Sequence, residues 1–210
     1  MKTDDLIEAL SRDAAHPGPS LDRRMGLALL LAAGSAAAIL LFGLSPRADL
    51  AAAAPTLLFS LKIALTATLV VAMLAMLKAS FRPEAGLPLA VLAIPAGILL
   101  FAIGHELATQ LPANYGSRLV GQNARLCLVW IPLMSLMPLA AFLAVLKAGA
   151  PAHPARAGAI AGLAAGSVAA LFYAFHCGDD SPLFVATWYT LALVLVAAAG
   201  ALLGRRLLAW

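Results

Sequence analysis

Six apolar stretches, at 26–44, 56–77, 87–107, 126–146, 157–175 and 183–203, are each closed by charge, proline or glycine. A bilayer's hydrocarbon core is about 30 Å thick, so one helical crossing takes roughly 20 apolar residues at about 1.5 Å of rise each. Each stretch has about that length, and in hydrocarbon the backbone must satisfy its own hydrogen bonds, which a helix does. Hydrophobic residues fill 63% of the 210 positions and charged residues 11%, against roughly 25% charged in a soluble domain. The expected fold is therefore all-α. It is a polytopic membrane bundle of about six transmembrane helices over 26–204, with a cytoplasmic segment at 1–25 and a short cytoplasmic tail at 205–210. The first stretch follows Arg23 and Arg24 as a signal peptide would, but a long polar segment precedes it and five further stretches follow, so it reads as a span.

Lysine and arginine gather on the cytoplasmic side of a membrane, which orients the chain. With the N-terminus inside, Lys2, Arg12, Arg23, Arg24, Lys78, Arg82, Lys147, Arg156, Arg205 and Arg206 are cytoplasmic, ten of the fourteen basic residues. Arg47, Lys62, Arg118 and Arg125 fall on the other side. The loop at 177–182 there carries acids, Asp179 and Asp180, and no base. Lys62 lies inside the second stretch, near enough to its end to snorkel to the headgroups. Topology thus accounts for the net charge of +4, and no direct nucleic acid binding is expected. Gly158, Gly162 and Gly166, with Gly200 and Gly204, read as faces for close helix packing. Pro95, Pro132 and Pro138 read as kinks.

The segment from Thr3 to Ala15 has the marks of a short amphipathic helix. Thr3 can cap it, Asp4 and Asp5 suit the positive end of the helix dipole, and Leu6, Ile7, Leu10 and Ala14 share a face. A helix this short is marginal alone in water, so its apolar face needs the membrane, the bundle or another protein. Lys2 and Arg12 are outnumbered by Asp4, Asp5, Glu8 and Asp13. That acidity disfavours an anionic leaflet and suits a basic protein groove, which makes partner binding the leading reading.

Both cysteines fall at the outer ends of spans, Cys127 where the fourth begins and Cys177 where the fifth closes. His105 with Glu106, and His176 with Asp179 and Asp180, lie on the same side. Three readings stand: a redox- or metal-responsive pair, a structural disulfide, or two small buried residues. For a metal, Cys127, Cys177, His105 and His176 offer the four ligands of a soft or borderline ion held transiently, although their spacing is not a compact motif. No other cofactor is expected. No CxxC, GxSxG, HExxH or phosphate loop is present, so an enzyme is not expected. Alternatives are a small transporter or channel, for which Thr66, Thr68, Ser135 and Ser167 give a thin polar lining, and a membrane thiol oxidoreductase.

The opening Met1-Lys2-Thr3-Asp4-Asp5-Leu6-Ile7, the six-span layout, and His176-Cys177-Gly178-Asp179-Asp180-Ser181-Pro182-Leu183-Phe184 followed by Trp188-Tyr189 together resemble the NrsF-type membrane anti-sigma factors of bacteria. The resemblance covers essentially the whole chain. It implies an inner-membrane regulator of transcription with both termini cytoplasmic. Its partner would be a sigma factor of the extracytoplasmic-function class, bound through Asp4, Asp5, Leu6 and Ile7 with the neighbouring Leu10. It further implies that Cys127 and Cys177 sense redox or metal stress in the periplasm.

Overall fold

The computed structural model describes residues 20–81, 86–149 and 151–208. The candidate partner-binding residues Asp4, Asp5, Leu6, Ile7 and Leu10 lie outside the described residues, as does the rest of the expected N-terminal helix. Among the described residues every regular element is helical, and six are long and apolar enough to cross a membrane. Their limits are Leu21–Leu44, Leu57–Ala79, Leu89–Thr109, Pro112–Gly149, Pro154–Tyr173 and Pro182–Leu207.

Helix α1 (Leu21–Ala38) begins earlier than hydrophobicity alone suggests, because Ser20 caps it by accepting from the Arg23 N–H and Asp22 occupies its first turn. It runs on through a π-helical turn, Ile39–Leu44, and stops at Ser45, whose φ of 60° breaks the helical path. Thr56 caps α2 (Leu57–Ala79) in the same way, accepting from the Phe59 N–H. Helix α3 (Ala93–Thr109) follows a 3-10 turn, Leu89–Leu92. Pro95 therefore sits in the first turn of α3, where a missing N–H is tolerated, rather than at an interior kink. Pro132 and Pro138 do lie inside α4 (Ala124–Gly149), which continues past both. Helix α5 (Pro154–Tyr173) starts on proline, and α6 (Thr190–Leu207) is reached through Pro182–Phe184, capped by Ser181, and a second π-helical turn, Val185–Tyr189.

Helix α5 is the axis of the bundle, packed against α6, α4, α2 and α1. Its glycines make this physically possible. A Cβ at Gly158 would lie 2.2 Å from the Gly200 carbonyl oxygen, one at Gly162 would lie 2.4 Å from that of Val196, and one at Gly204 would lie 2.5 Å from that of Pro154. Backbone thus packs on backbone along the α5–α6 seam, the close approach that membrane helices use in place of a hydrophobic drive. Helix α3 is the opposite case: its main helical neighbour is α2, and much of its surface faces outward.

Candidate functional site

The loop that leaves α5 carries Cys177, and nearly every residue in it is fastened to a different part of the chain. His176 places Nδ1 2.8 Å from the Ser45 carbonyl oxygen, at the far end of α1. The Arg47 N–H donates to the Phe175 carbonyl at 3.0 Å, and its guanidinium reaches Asp180 at 2.7 Å and the Cys177 carbonyl at 3.4 Å. Lys62 of α2 donates to the carbonyls of Cys177 at 2.9 Å and Asp179 at 3.3 Å, and pairs with the Asp180 carboxylate. The Asp179 carboxylate accepts from the N–H groups of Gln122 and Asn123 and from the Asn123 side chain. Glu106 of α3 accepts from Ser181 Oγ at 2.7 and 2.9 Å, from the Leu183 N–H at 3.0 Å and from Arg118. Gly121 lets the connection before α4 close over the loop. Its φ is +59°, and a Cβ there would strike the Phe184 ring at 2.5 Å.

Lys62 does not snorkel. Its side chain is 1% exposed and turned inward, because three acceptors at the loop replace the water that the headgroups would supply. Glu106, noted in the sequence only for its place beside His105, is the fully buried anchor of α3. These two were signalled, in that each is an ionisable residue inside an apolar stretch. Their partners, 118 and 75 positions away, were not.

Beneath the loop the structure brings Cys127 and Cys177 together. Both are fully buried, neither is in a disulfide, and Cys127 is close enough to donate to the Cys177 sulfur. That hydrogen bond, with the charge of Lys62 adding to it, holds the Cys177 thiol below its ordinary pKa against the opposing effect of burial. Cys177 also directs its thiol toward the Asp179 carbonyl at 3.9 Å. Outside the spans, Arg47 is held above its ordinary value, first by its hydrogen bond to Asp49, and Asp49 is held below its own by the same contact. Two tyrosines complete the surroundings of the thiols. Tyr173 borders Cys127 and Tyr189 borders Cys177; both hydroxyls are buried, and the rings lie 6.1 Å apart.

The histidines go elsewhere. His105 stacks beside Phe101 with a buried, unpartnered Nδ1, and the imidazole of His176 is engaged by Ser45. Among the described residues no group of three or more His, Cys, Asp and Glu side chains is placed to hold a metal ion. The set Cys127, Cys177, His105 and His176 is therefore not assembled into a four-ligand centre. The arrangement retains the chemistry of two adjacent thiols, which can lose two electrons and two protons to form a disulfide or bind a soft cation between them. A polar cavity of about 550 Å³, lined in part by Arg118, Gln122, Gly178 and Asp179, opens beside the same loop.

No solved structure matches the chain. The model of the NrsF family, described as negative regulator of sigma F, matches residues 10–210. The probable anti-sigma-F factor NrsF of Azospira oryzae is 33% identical over 214 residues, and the anti-sigma-F factor NrsF of Caulobacter vibrioides is 31% identical over 214, each alignment covering 100% of both proteins. The family match starts after Asp4, Asp5, Leu6 and Ile7, whereas the two pairwise alignments take in the whole chain. The chain belongs to the NrsF family of negative regulators of sigma F, a family that regulates rather than catalyses.

Proposed function

We propose that this protein holds a sigma factor of the extracytoplasmic-function class at the inner membrane of a bacterium, through its cytoplasmic N-terminal segment, and releases it when the Cys127–Cys177 pair meets periplasmic redox or metal stress. Family membership supports the sigma-factor partner. The distribution of basic residues supports cytoplasmic termini and a periplasmic thiol loop. The observation that carries the sensing half is the meeting of two free thiols under a loop tied to the far end of α1. Helix α1 leads back, through Ser20, directly into the segment that bears Asp4, Asp5, Leu6, Ile7 and Leu10.

Joining the thiols, or placing a soft cation between them, alters the spacing of α4 and the 176–181 loop. His176 and Arg47 then pass the change to Ser45 and α1. A coupling of about 1–3 kcal/mol between the two faces changes affinity roughly 5–150-fold, enough for a switch. A transporter path is disfavoured because Thr66, Thr68, Ser135 and Ser167 each donate to a carbonyl of their own helix, leaving few hydroxyls for a substrate.

The test is a gentle-detergent pull-down from native membranes, comparing the full chain with one lacking residues 1–19, a deletion that spares the Ser20 cap. Recovery of a sigma factor by the full chain alone supports the reading. Recovery of no soluble partner, or of the same set by both chains, overturns it. For the sensing half, Cys127→Ser and Cys177→Ser should each abolish induction by the stress; a response left intact by both would remove the thiols from the mechanism.

A further inference from the structure

Two thiols that lie together need not be equivalent, and the groups around this pair differ. Cys127 sits on α4, its N–H bonded to the Asn123 carbonyl at 2.8 Å, and the anion Asp179 bears on it as it does on Cys177. Cys177 sits on the loop, where its own carbonyl is gripped by two cations, Lys62 at 2.9 Å and Arg47 at 3.4 Å. Lys62 is the closer and the more deeply buried of the two.

We propose that Lys62 is the positioning residue that makes Cys177 the first of the two thiols to react, with Cys127 following as its partner. The proposal deepens the sensing reading and rests on it. A lysine inside a span is costly unless its charge is matched, and such residues mark sites of function more often than of mere packing. Matching the charge needs only Asp180. Lys62 does more, since two of its three donor bonds go to main-chain carbonyls, those of Cys177 and Asp179. The ammonium thus fixes the peptide that carries the thiol and brings a positive charge to bear on it. The thiolate is the species that attacks electrophiles and binds soft metals, so a cation fixed at the peptide of Cys177 and not at that of Cys127 sets the order of reaction. The groups facing Cys177 are then Lys62, Arg47, Asp179 and Asp180 at the loop, with Cys127 from α4, Tyr173 from α5 and Tyr189 from the segment before α6.

Competitive labelling of the purified full chain with light and heavy iodoacetamide, read for each cysteine by mass spectrometry across pH, tests this without any sigma factor. In the unaltered chain Cys177 should label ahead of Cys127; equal labelling, or Cys127 first, overturns the proposal. Lys62→Met should lower the Cys177:Cys127 ratio about tenfold and move the Cys177 rate profile to higher pH, the size of effect that loss of one adjacent opposite charge produces. Lys62→Arg should restore the order. Lys62→Gln separates charge from mere fastening. Its amide can still donate to the loop carbonyls but carries no charge, so the ratio should fall as in Lys62→Met, whereas a purely mechanical clamp predicts that it holds. An unchanged ratio in Lys62→Met or in Lys62→Gln overturns the proposal. If Lys62→Met does not fold, Lys62→Gln and Lys62→Arg decide it on the same terms. The labelling order stands apart from the sensing reading, which falls if Cys→Ser variants keep the stress response, whatever the ratio.

Discussion

The two ends of the bundle treat charge in opposite ways. At the loop end Lys62, Glu106, Arg47 and Asp180 have side chains 1%, 0%, 9% and 16% exposed, and each is tied to at least two partners. At the other end Lys78 meets Asp22 in the open, with side chains 58% and 75% exposed. Charges taken out of water hold one geometry, because every displaced partner leaves a buried ion uncompensated. Charges left in water hold almost none. The loop end is thus fixed as a unit around the thiols, and the other end is left adaptable.

The largest effect should come from breaking the buried lattice. Glu106→Ala removes the acceptor for Ser181, the Leu183 N–H and Arg118 together, and should cost about 3–5 kcal/mol, since it strands two buried donors at about 1–3 kcal/mol each and leaves a void, while Arg118, 29% exposed, can turn to solvent. Denaturation of the purified protein in mild detergent measures it. A loss near zero would mean that the lattice is dispensable and that the contrast between the ends is one of appearance.

This lattice is also where the sequence was least legible. The six long apolar helices could be read from the sequence because hydrophobicity over a fixed length is a local property. The exceptions are local too: Ser20 winds five more residues into α1, and a 3-10 turn shifts the start of α3 so that Pro95 lands in its first turn. The close-packed glycines of α5 and α6 could be read from their spacing. Loop partners could not, since Arg47 and Asp180 are 133 positions apart and Asn123 and Asp179 are 56 apart. Sequence proximity to the cysteines drew attention to His105 and His176, yet helical phase turns His105 toward Phe101 and the loop path ties His176 to Ser45. Tyr173 stands four positions before Cys177, and nothing in the local sequence marks it as a neighbour of Cys127.

The glycine seam lies between the two ends and tests whether stability belongs to either. Gly158→Val puts a side chain where the Gly200 oxygen would be 2.2 Å from Cβ. Because backbone and not a flexible side chain stands in the way, it should cost about 3 kcal/mol or more, at or beyond the upper end of overpacking, comparable with Glu106→Ala, and leave the Cys177:Cys127 labelling order untouched. A change in that order would mean that the seam, and not only the loop, positions the thiols. A smaller effect of opposite sign is expected at the end of α1. Ser45 holds a φ of 60° that favours glycine, and its carbonyl is engaged by His176. Ser45→Gly should relieve that strain for a net gain of about 1 kcal/mol after the entropy of the added glycine is subtracted. If it also loosens sigma-factor release from the thiols, the strained turn is part of the coupling.

The smallest effect should be at Lys78. Its ammonium bridges the last turn of α2 to Asp22 in the first turn of α1, 2.6 Å away. Being exposed, the pair gains little over hydration, and Lys78→Ala should cost no more than about 1 kcal/mol. Salt separates the two ends more sharply than the size of the loss. Raising ionic strength from about 0.1 M to about 1 M shortens the screening length from roughly 10 Å to 3 Å, so the cost of Lys78→Ala should fade, while that of Glu106→Ala, shielded from ions by the bundle, should persist. Equal salt dependence at both sites would show that solvent reaches the loop lattice as freely as it reaches Lys78, and the thiols beneath it would then be open to water-borne reagents without any rearrangement of the loop.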